Sequence, residues 1–318
     1  MRRTLLSSCG YLVLMLAASN LSVSSAQAQS TQDQAVGPTT ILSFEGGYLF
    51  NDSSSNVHFD PDNDKIGNHL GNLDSLTPGK DGGQFRFELG QVYESGWDYK
   101  VALGAILLDN DDTSGEYEYS CGLFCADTDI ATAEQKQKLG IADLELGFRP
   151  DTSLGGLDVR FFGGIRAIRS SNEGQFEADK VGSYDDSLWA VGPRIGLDAV
   201  LPIEDQHQLS FVGSLSGSVL FGDRSTDESL TTIIGPLSRS FSESETVWNV
   251  DAMAGLQMPV GERASLTLGY KAQQFWNLVS GRSDVESFFG TYTDEGNKDV
   301  LVHGPFLKLT VEVPPVSR

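Results

Sequence analysis

The fold class predicted by the sequence is all-β: a single antiparallel up-and-down transmembrane β-barrel of about ten strands, with long extracellular loops and short periplasmic turns. Three observations carry that prediction. Segments of about ten residues that alternate apolar and polar side chains recur along the chain, while helix-period patterns are scarce. The connections between these segments alternate between short and long. Beyond the N-terminal stretch, no run of about 20 apolar residues exists that would cross a membrane as a helix.

Composition narrows the partners. The 318 residues include 44 acidic and 22 basic side chains, for a formal charge of −22. Nucleic acid needs a basic face to meet its phosphates, so no nucleic-acid partner is expected. At 39% hydrophobic the chain is too apolar to remain disordered.

At the N-terminus, Arg2 and Arg3 precede the apolar stretch Tyr11 to Ala18, and a small-residue segment ends in Ala26-Gln27-Ala28. That order is a secretory signal, predicted to span residues 1–28, with 29–318 forming the barrel. Its removal takes Arg2 and Arg3, moving the charge from −22 to −24, and leaves Cys121 and Cys125. No His or third Cys stands nearby, so the pair is expected to be a disulfide staple of one loop rather than a metal or redox site.

In chain order the predicted strands are Ile41 to Phe50, Gln84 to Tyr93, Trp97 to Leu108, Leu139 to Arg149, Leu157 to Ile168, Leu188 to Leu201, Gln208 to Phe221, Thr246 to Met258, Ala264 to Leu278 and Val300 to Val313. Short turns such as Glu94-Ser95-Gly96, Pro202 to His207 and Pro259 to Arg263 join them at one end. The long connections, roughly 51–83, 109–138, 169–187, 222–245 and 279–299, fall at the other, as outer-membrane insertion imposes.

Faces follow from the period of two. Near residue 266 one face reads Leu266, Leu268, Tyr270, Ala272, Trp276 and the other Ser265, Thr267, Lys271, Gln273, Asn277. The preceding strand sets Trp248, Val250, Ala252, Ala254 and Leu256 against Asn249, Asp251 and Gln257. Another sets Leu157, Val159, Phe161 and Ile165 against Asp158, Arg160 and Arg166. Strand-end aromatics, including Trp97, Tyr99, Trp189, Trp248 and Trp276, lie on the apolar face, where a membrane-interface girdle belongs. The polar face carries bulky charges of both signs. At roughly 2 to 4 kcal/mol per lipid-facing charge at midplane, those side chains must point into the lumen.

The inward acids are Glu45, Glu88, Asp98, Asp143, Glu145, Asp158, Asp198, Asp251 and Glu312, and the bases Arg86, Lys100, Arg160, Arg166, Arg194, Lys271 and Lys308. Opposed charges across a lumen either select solutes by a transverse field or fill a narrow barrel with ion pairs, and ten strands is near the narrow limit. The serines Ser210, Ser214, Ser216 and Ser218, beside Gly192 and Gly196, either line a water path or make room for larger neighbours.

Several stretches in the later strands are similar to a known family: Gly163-Gly164-Ile165-Arg166, Val191-Gly192-Pro193-Arg194-Ile195-Gly196-Leu197-Asp198, Gly213 to Gly222, Leu268-Gly269-Tyr270 with Trp276, and His303-Gly304-Pro305-Phe306-Leu307-Lys308-Leu309-Thr310. Over residues 139–313 the chain resembles the pore-forming outer-membrane proteins typified by the Legionella major outer membrane protein. The resemblance implies an outer-membrane barrel described as pore-forming, with no catalytic residues to carry over.

Other chemistry is poorly specified. Asp60, Asp62 and Asp64 have the spacing that begins a calcium loop, but Lys65 and Gly71 stand where the glycine and closing glutamate belong. None of His58, His69, His207 and His303 has a local Ser or Asp arrangement that specifies a hydrolase. The expected function is therefore a non-enzymatic, porin-like passage for small solutes or ions, needing no cofactor or metal. Its expected lining is Arg160, Arg166, Arg194, Lys271 and Lys308 facing Asp143, Glu145, Asp158, Asp198 and Asp251. Outer-membrane lipid and lipopolysaccharide are the expected surroundings. The alternative is a non-conducting structural or adhesive barrel acting through its acidic loops.

Overall fold

Alternating side chains give each strand one face for lipid and one for the interior, and only a closed sheet lets such strands cross hydrocarbon without an unpaired edge. The computed structural model describes residues 38–51, 81–109, 113–120, 126–150, 156–177, 181–204, 209–232, 235–279 and 298–315. Its strands are β1 (Thr39–Asn51), β2 (Asp81–Val92), β3 (Trp97–Asp109), β4 (Thr113–Ser120), β5 (Ala126–Phe148), β6 (Asp158–Glu177), β7 (Val181–Glu204), β8 (Leu209–Thr232), β9 (Gly235–Pro259), β10 (Ala264–Val279) and β11 (Lys298–Val313). All pairings are antiparallel, in the order β3-β2-β1-β11-β10-β9-β8-β7-β6-β5. The pairing of β3 with β5, from Trp97↔Phe148 to Asp109↔Lys136, closes ten strands into a barrel. β4 stands outside that ring and, among the described residues, pairs only with the upper part of β5, from Thr113↔Ala133 to Ser120↔Ala126.

Each of the ten predicted segments lies in a barrel strand to within a residue at its ends, Gln208 lying outside the described residues, and the tight turn before Trp97 forms as expected. Tyr93 donates its N–H to Trp97 O (2.9 Å) and Gly96 donates to Tyr93 O (3.1 Å). Gly96 has φ +80°, a left-handed conformation that a side chain disfavours.

Three of the connections expected as loops are largely strand. β5 begins at Ala126 rather than near Leu139, β6 and β7 run on to Glu177 and from Val181, and β8 and β9 run on to Thr232 and from Gly235. The physical reason is a change of solvent. On the outer face of β8, Phe211, Leu215, Val219 and Phe221 give way to Asp223, Ser225, Asp227 and Ser229. Above that level water replaces lipid, so pairing continues while alternation fades. A membrane strand needs about 9 to 11 residues, which Phe211 to Phe221 supplies.

Exposed aromatics mark the two interfaces. Trp97 packs against Phe148 with ring centroids 5.0 Å apart, and Tyr93 against Tyr99 at 6.4 Å, all near the short-turn end. At the opposite end Trp248 is the register partner of Trp276, and Tyr48, Phe50, His303 and Tyr270 form a cluster in which the Tyr270 hydroxyl lies 2.5 Å from His303 Nδ1. The signal segment, the staple cysteines Cys121 and Cys125, the aspartates Asp60, Asp62 and Asp64, and His58, His69 and His207 lie outside the described residues.

Some inward glycines stand where a neighbouring strand leaves no room for a side chain. A Cβ on Gly192 would stand 1.9 Å from Val219 O, whereas one on the lipid-facing Gly46 would meet nothing within 4 Å. Gly192→Ala is therefore expected to cost about 1 to 3 kcal/mol of stability through overpacking. Gly46→Ala is expected to leave stability unchanged. Urea unfolding of the refolded protein, followed by heat-modifiable gel mobility, checks both.

Candidate functional site in the barrel lumen

Every barrel strand projects at least one polar side chain into the lower half of the lumen, because inward positions there fall on the polar phase of each segment. Seven carboxylates and seven cationic groups meet: Glu45, Glu88, Asp98, Asp143, Glu145, Asp198 and Asp251 with Arg86, Lys100, Arg160, Arg166, Arg194, Lys271 and Lys308. The belt is neutral as a set, which is the condition for holding so many charges in a narrow interior.

Asp143 on β5 is its centre. It receives a two-pronged contact from Arg166, with Nε 2.7 Å from Oδ1 and Nη2 3.1 Å from Oδ2, together with Arg86 Nη2 at 2.8 Å and Arg194 Nη1 at 3.3 Å. Its side chain is 0% exposed. Arg166 Nη1 continues to Asp251 Oδ2 at 2.5 Å and also donates to Asn249, while Arg194 Nη1 donates to Glu145. Arg160 embraces Asp98, with Nε 2.8 Å from Oδ2 and Nη2 2.6 Å from Oδ1, and reaches Asp198 at 2.8 Å and Glu145 at 3.3 Å. On the far side Lys308 contacts Glu88 and Lys271 contacts Glu45, each at 2.5 Å. The pairing of charge-assisted bonds with planar guanidinium forks gives this belt fixed geometry as well as attraction.

The serine row serves the belt. Ser214 donates to Asp198 (2.7 Å), Ser216 accepts from Arg194 Nη2 (2.9 Å) and donates to Asp251 (3.2 Å), and Ser218 donates to Asn249 (3.2 Å). Gly196 makes room for Phe162, whose ring would come within 2.4 Å of an added Cβ. That ring lies between two guanidinium groups, 4.9 Å from Arg160 and 5.0 Å from Arg194, in cation–π contact with both. Of the ten expected lining residues, nine lie in the belt. Asp158 is the exposed first residue of β6 and belongs to none of the ion pairs among the described residues, and Glu312 is likewise at the rim.

The alternation predicts a polar inward face along the whole of each strand. The structure corrects this, for in the upper half of the lumen the inward face is apolar. Leu49, Ile106, Leu108, Leu139, Ile141, Ile168, Leu188, Ala190, Leu220, Val247, Phe275, Leu278, Val279, Val300 and Val302 form one cluster, none more than 6% exposed. This collar draws on nine of the ten barrel strands. Its signal was present as short runs apolar on both faces: Ala105-Ile106-Leu107-Leu108, Val219-Leu220-Phe221 and Val300-Leu301-Val302. Above the collar the interior turns polar again. There Arg224 ion-pairs with Asp186 and Glu245, both at 3.8 Å, and Thr226 donates to Asp186 at 2.8 Å. Arg224, Asp186 and Thr226 were missed because they fall in segments expected to be loop.

The lumen therefore has strata. On the short-turn side of the belt Lys100 and Asp198 keep 24% and 27% of their side-chain surface exposed, whereas the collar above the belt is buried. On the outside of the raised β5–β9 sheet a polar cup of about 740 Å³ is lined by Glu173, Gln175, Ser183, Asp185, Asp227 and Ser229 among others.

A barrel with lipid-facing aromatics and a charged interior matches the family model of the Legionella pneumophila major outer membrane protein precursor over residues 39–313. The chain belongs to this family. As a major outer membrane protein it resides in the bacterial outer membrane. Among solved structures, the chain is similar to the outer membrane protease OmpT from Escherichia coli (11% identity, TM-score 0.47, covering 90% of this chain and 99% of that one). It is also similar to a major outer membrane protein from Thermus thermophilus (14%, 0.34, 86% and 99%) and to the outer membrane protein OprG from Pseudomonas aeruginosa (11%, 0.26, 87% and 96%). No curated protein matches the chain in sequence.

Removing the charge at the centre of the belt has a calculable consequence. Asp143→Asn leaves three arginines short of their shared counter-charge and is expected to cost about 3 to 5 kcal/mol. Lys138→Ala breaks an exposed pair with Glu173 at 3.3 Å and is expected to cost at most about 1 kcal/mol. Denaturant titration of both variants against the unaltered protein checks the contrast.

Proposed function

We propose that this major outer membrane protein is a narrow, non-enzymatic passage for small ions and polar solutes, shut at rest by the apolar collar. The observation that carries the reading is the belt of shared ion pairs. A barrel needing only to be filled gains as much from apolar packing as from buried charge, since burying ions costs as much as their attraction returns. Charges with several partners each are suited to passage instead. Asp143 contacts three arginines and Arg160 three carboxylates, so one contact exchanges for a passing ion while the others persist. Opposed charges across the lumen favour small ions and dipolar solutes over apolar ones. An apolar constriction above them closes the path by excluding water.

The depth and dryness of the collar, and the polar cup on the raised sheet, favour a second reading: a permanently closed barrel serving surface structure or adhesion. In either case the outer face is expected to sit among outer-membrane lipid and lipopolysaccharide.

Single-channel recording in planar bilayers separates the two. The unaltered protein is expected to open rarely and in small steps, and Phe275→Ala, which removes the largest collar side chain, to open more often. Arg194→Ala in that background is expected to shift the reversal potential under a salt gradient toward cation preference. A folded Phe275→Ala variant that stays silent means a lumen filled for structure alone, and the surface reading takes its place.

A further inference from the structure

Asn277 is the one non-glycine residue with positive φ among the described residues, at +62°, and it lies within β10 beside the collar. Left-handed backbone is costly for a side chain and rare inside a strand, and Asn is among the few residues that tolerate it. Here it accompanies a bulge. Phe275 pairs with Val300 and the next pairing is Val279 with Lys298, so Trp276, Asn277 and Leu278 all stand opposite Asp299.

The bulge breaks the strand's alternation where the collar needs it broken. In a regular strand consecutive residues face opposite ways. Leu278 and Val279 are instead both buried, at 0% and 2% exposure, and both belong to the collar together with Phe275. Three strands grip the unusual backbone. Arg224 on β8 donates from Nη2 to Asn277 O (2.7 Å), the Asn277 N–H donates to Asp299 Oδ1 on β11 (3.3 Å), and Asn277 Nδ2 donates to Thr246 O on β9 (3.1 Å). Arg224 is itself fixed by Asp186 and Glu245 above the collar.

We propose that the Asn277 bulge, gripped by Arg224, Asp299 and Thr246, is the latch of the lumenal seal. Held left-handed, the backbone keeps Leu278 and Val279 in the collar. Relaxed to extended backbone, β10 regains alternation, one of the two side chains turns out of the lumen, and the collar opens. The effect on conductance rests on the reading of the lumen as a passage; the effect on collar packing does not.

The test uses the full mature chain in lipid bilayers, with Cys121 and Cys125 replaced by serine and Val279→Cys as a reporter. A membrane-impermeant charged maleimide probes the new thiol from both sides, and single-channel recording runs in parallel. Asn277→Gly gives up the Nδ2 bond to Thr246 but keeps positive φ without steric cost and retains the two backbone grips, so its labelling is expected to stay well below that of Asn277→Val. Asn277→Val disfavours it, and both labelling rate and opening frequency are expected to rise by about tenfold or more. Asp299→Ala, which removes one grip and asks nothing new of the backbone, is expected to move both readouts in the same direction. Folding is verified by gel mobility, and Asp299→Ala carries the comparison if the valine variant does not assemble. Protection unchanged in both folded variants overturns the latch, even if Phe275→Ala conducts. A thiol that becomes reactive while every variant stays electrically silent upholds the latch and removes the passage.

Discussion

The pairing of β3 with β5 is the contact on which the rest of the structure depends. In hydrocarbon no water is present to satisfy an open edge, so ten strands crossing a bilayer must end by bonding to one another. Thirteen consecutive register pairs from Trp97↔Phe148 to Asp109↔Lys136 complete the ring and push β4 out of it. Once the ring closes, every inward side chain faces others across a narrow space. The interior must then be filled, and the filling is what distinguishes this barrel.

That filling is ordered by height. Near the short turns, charges of both signs neutralise one another through shared contacts. At mid-height and above, apolar side chains from almost every strand meet and are buried. Beyond the membrane the interior is polar again around Arg224. Each layer imposes a different requirement on the chain: charge balance in the first, volume in the second, satisfied hydrogen bonds in the third. Gly196 beside Phe162 and Gly192 beside Val219 show how backbone without a side chain accommodates the first two.

The bulge at Asn277 ties the layers together. Its grips come from the polar layer above and from the neighbouring strands, while the side chains that it places belong to the apolar layer. Strain at one backbone position is thereby coupled to the packing of the seal, which is the arrangement that lets a small local change alter a whole cross-section.

The sequence by itself determined the barrel class, a strand number of about ten, the lipid-facing phase and nearly all of the belt, while the pairing of β3 with β5 fixed the number at ten. The sequence did so because lipid imposes a period of two on every strand that touches it, and Leu266, Leu268 and Tyr270 against Thr267 and Lys271 carry that imprint locally. Only the tertiary structure decided how far the strands rise above the membrane, since Asp223, Ser225 and Asp227 pair as strand in water without any alternation to announce it. It alone joined Arg224 to Asn277, residues of β8 and β10 that no local pattern connects, and brought Leu49, Leu139 and Phe275 into one collar. Closure of the ring sets those distances. A period records which side of a strand faces inward, but not what it meets there.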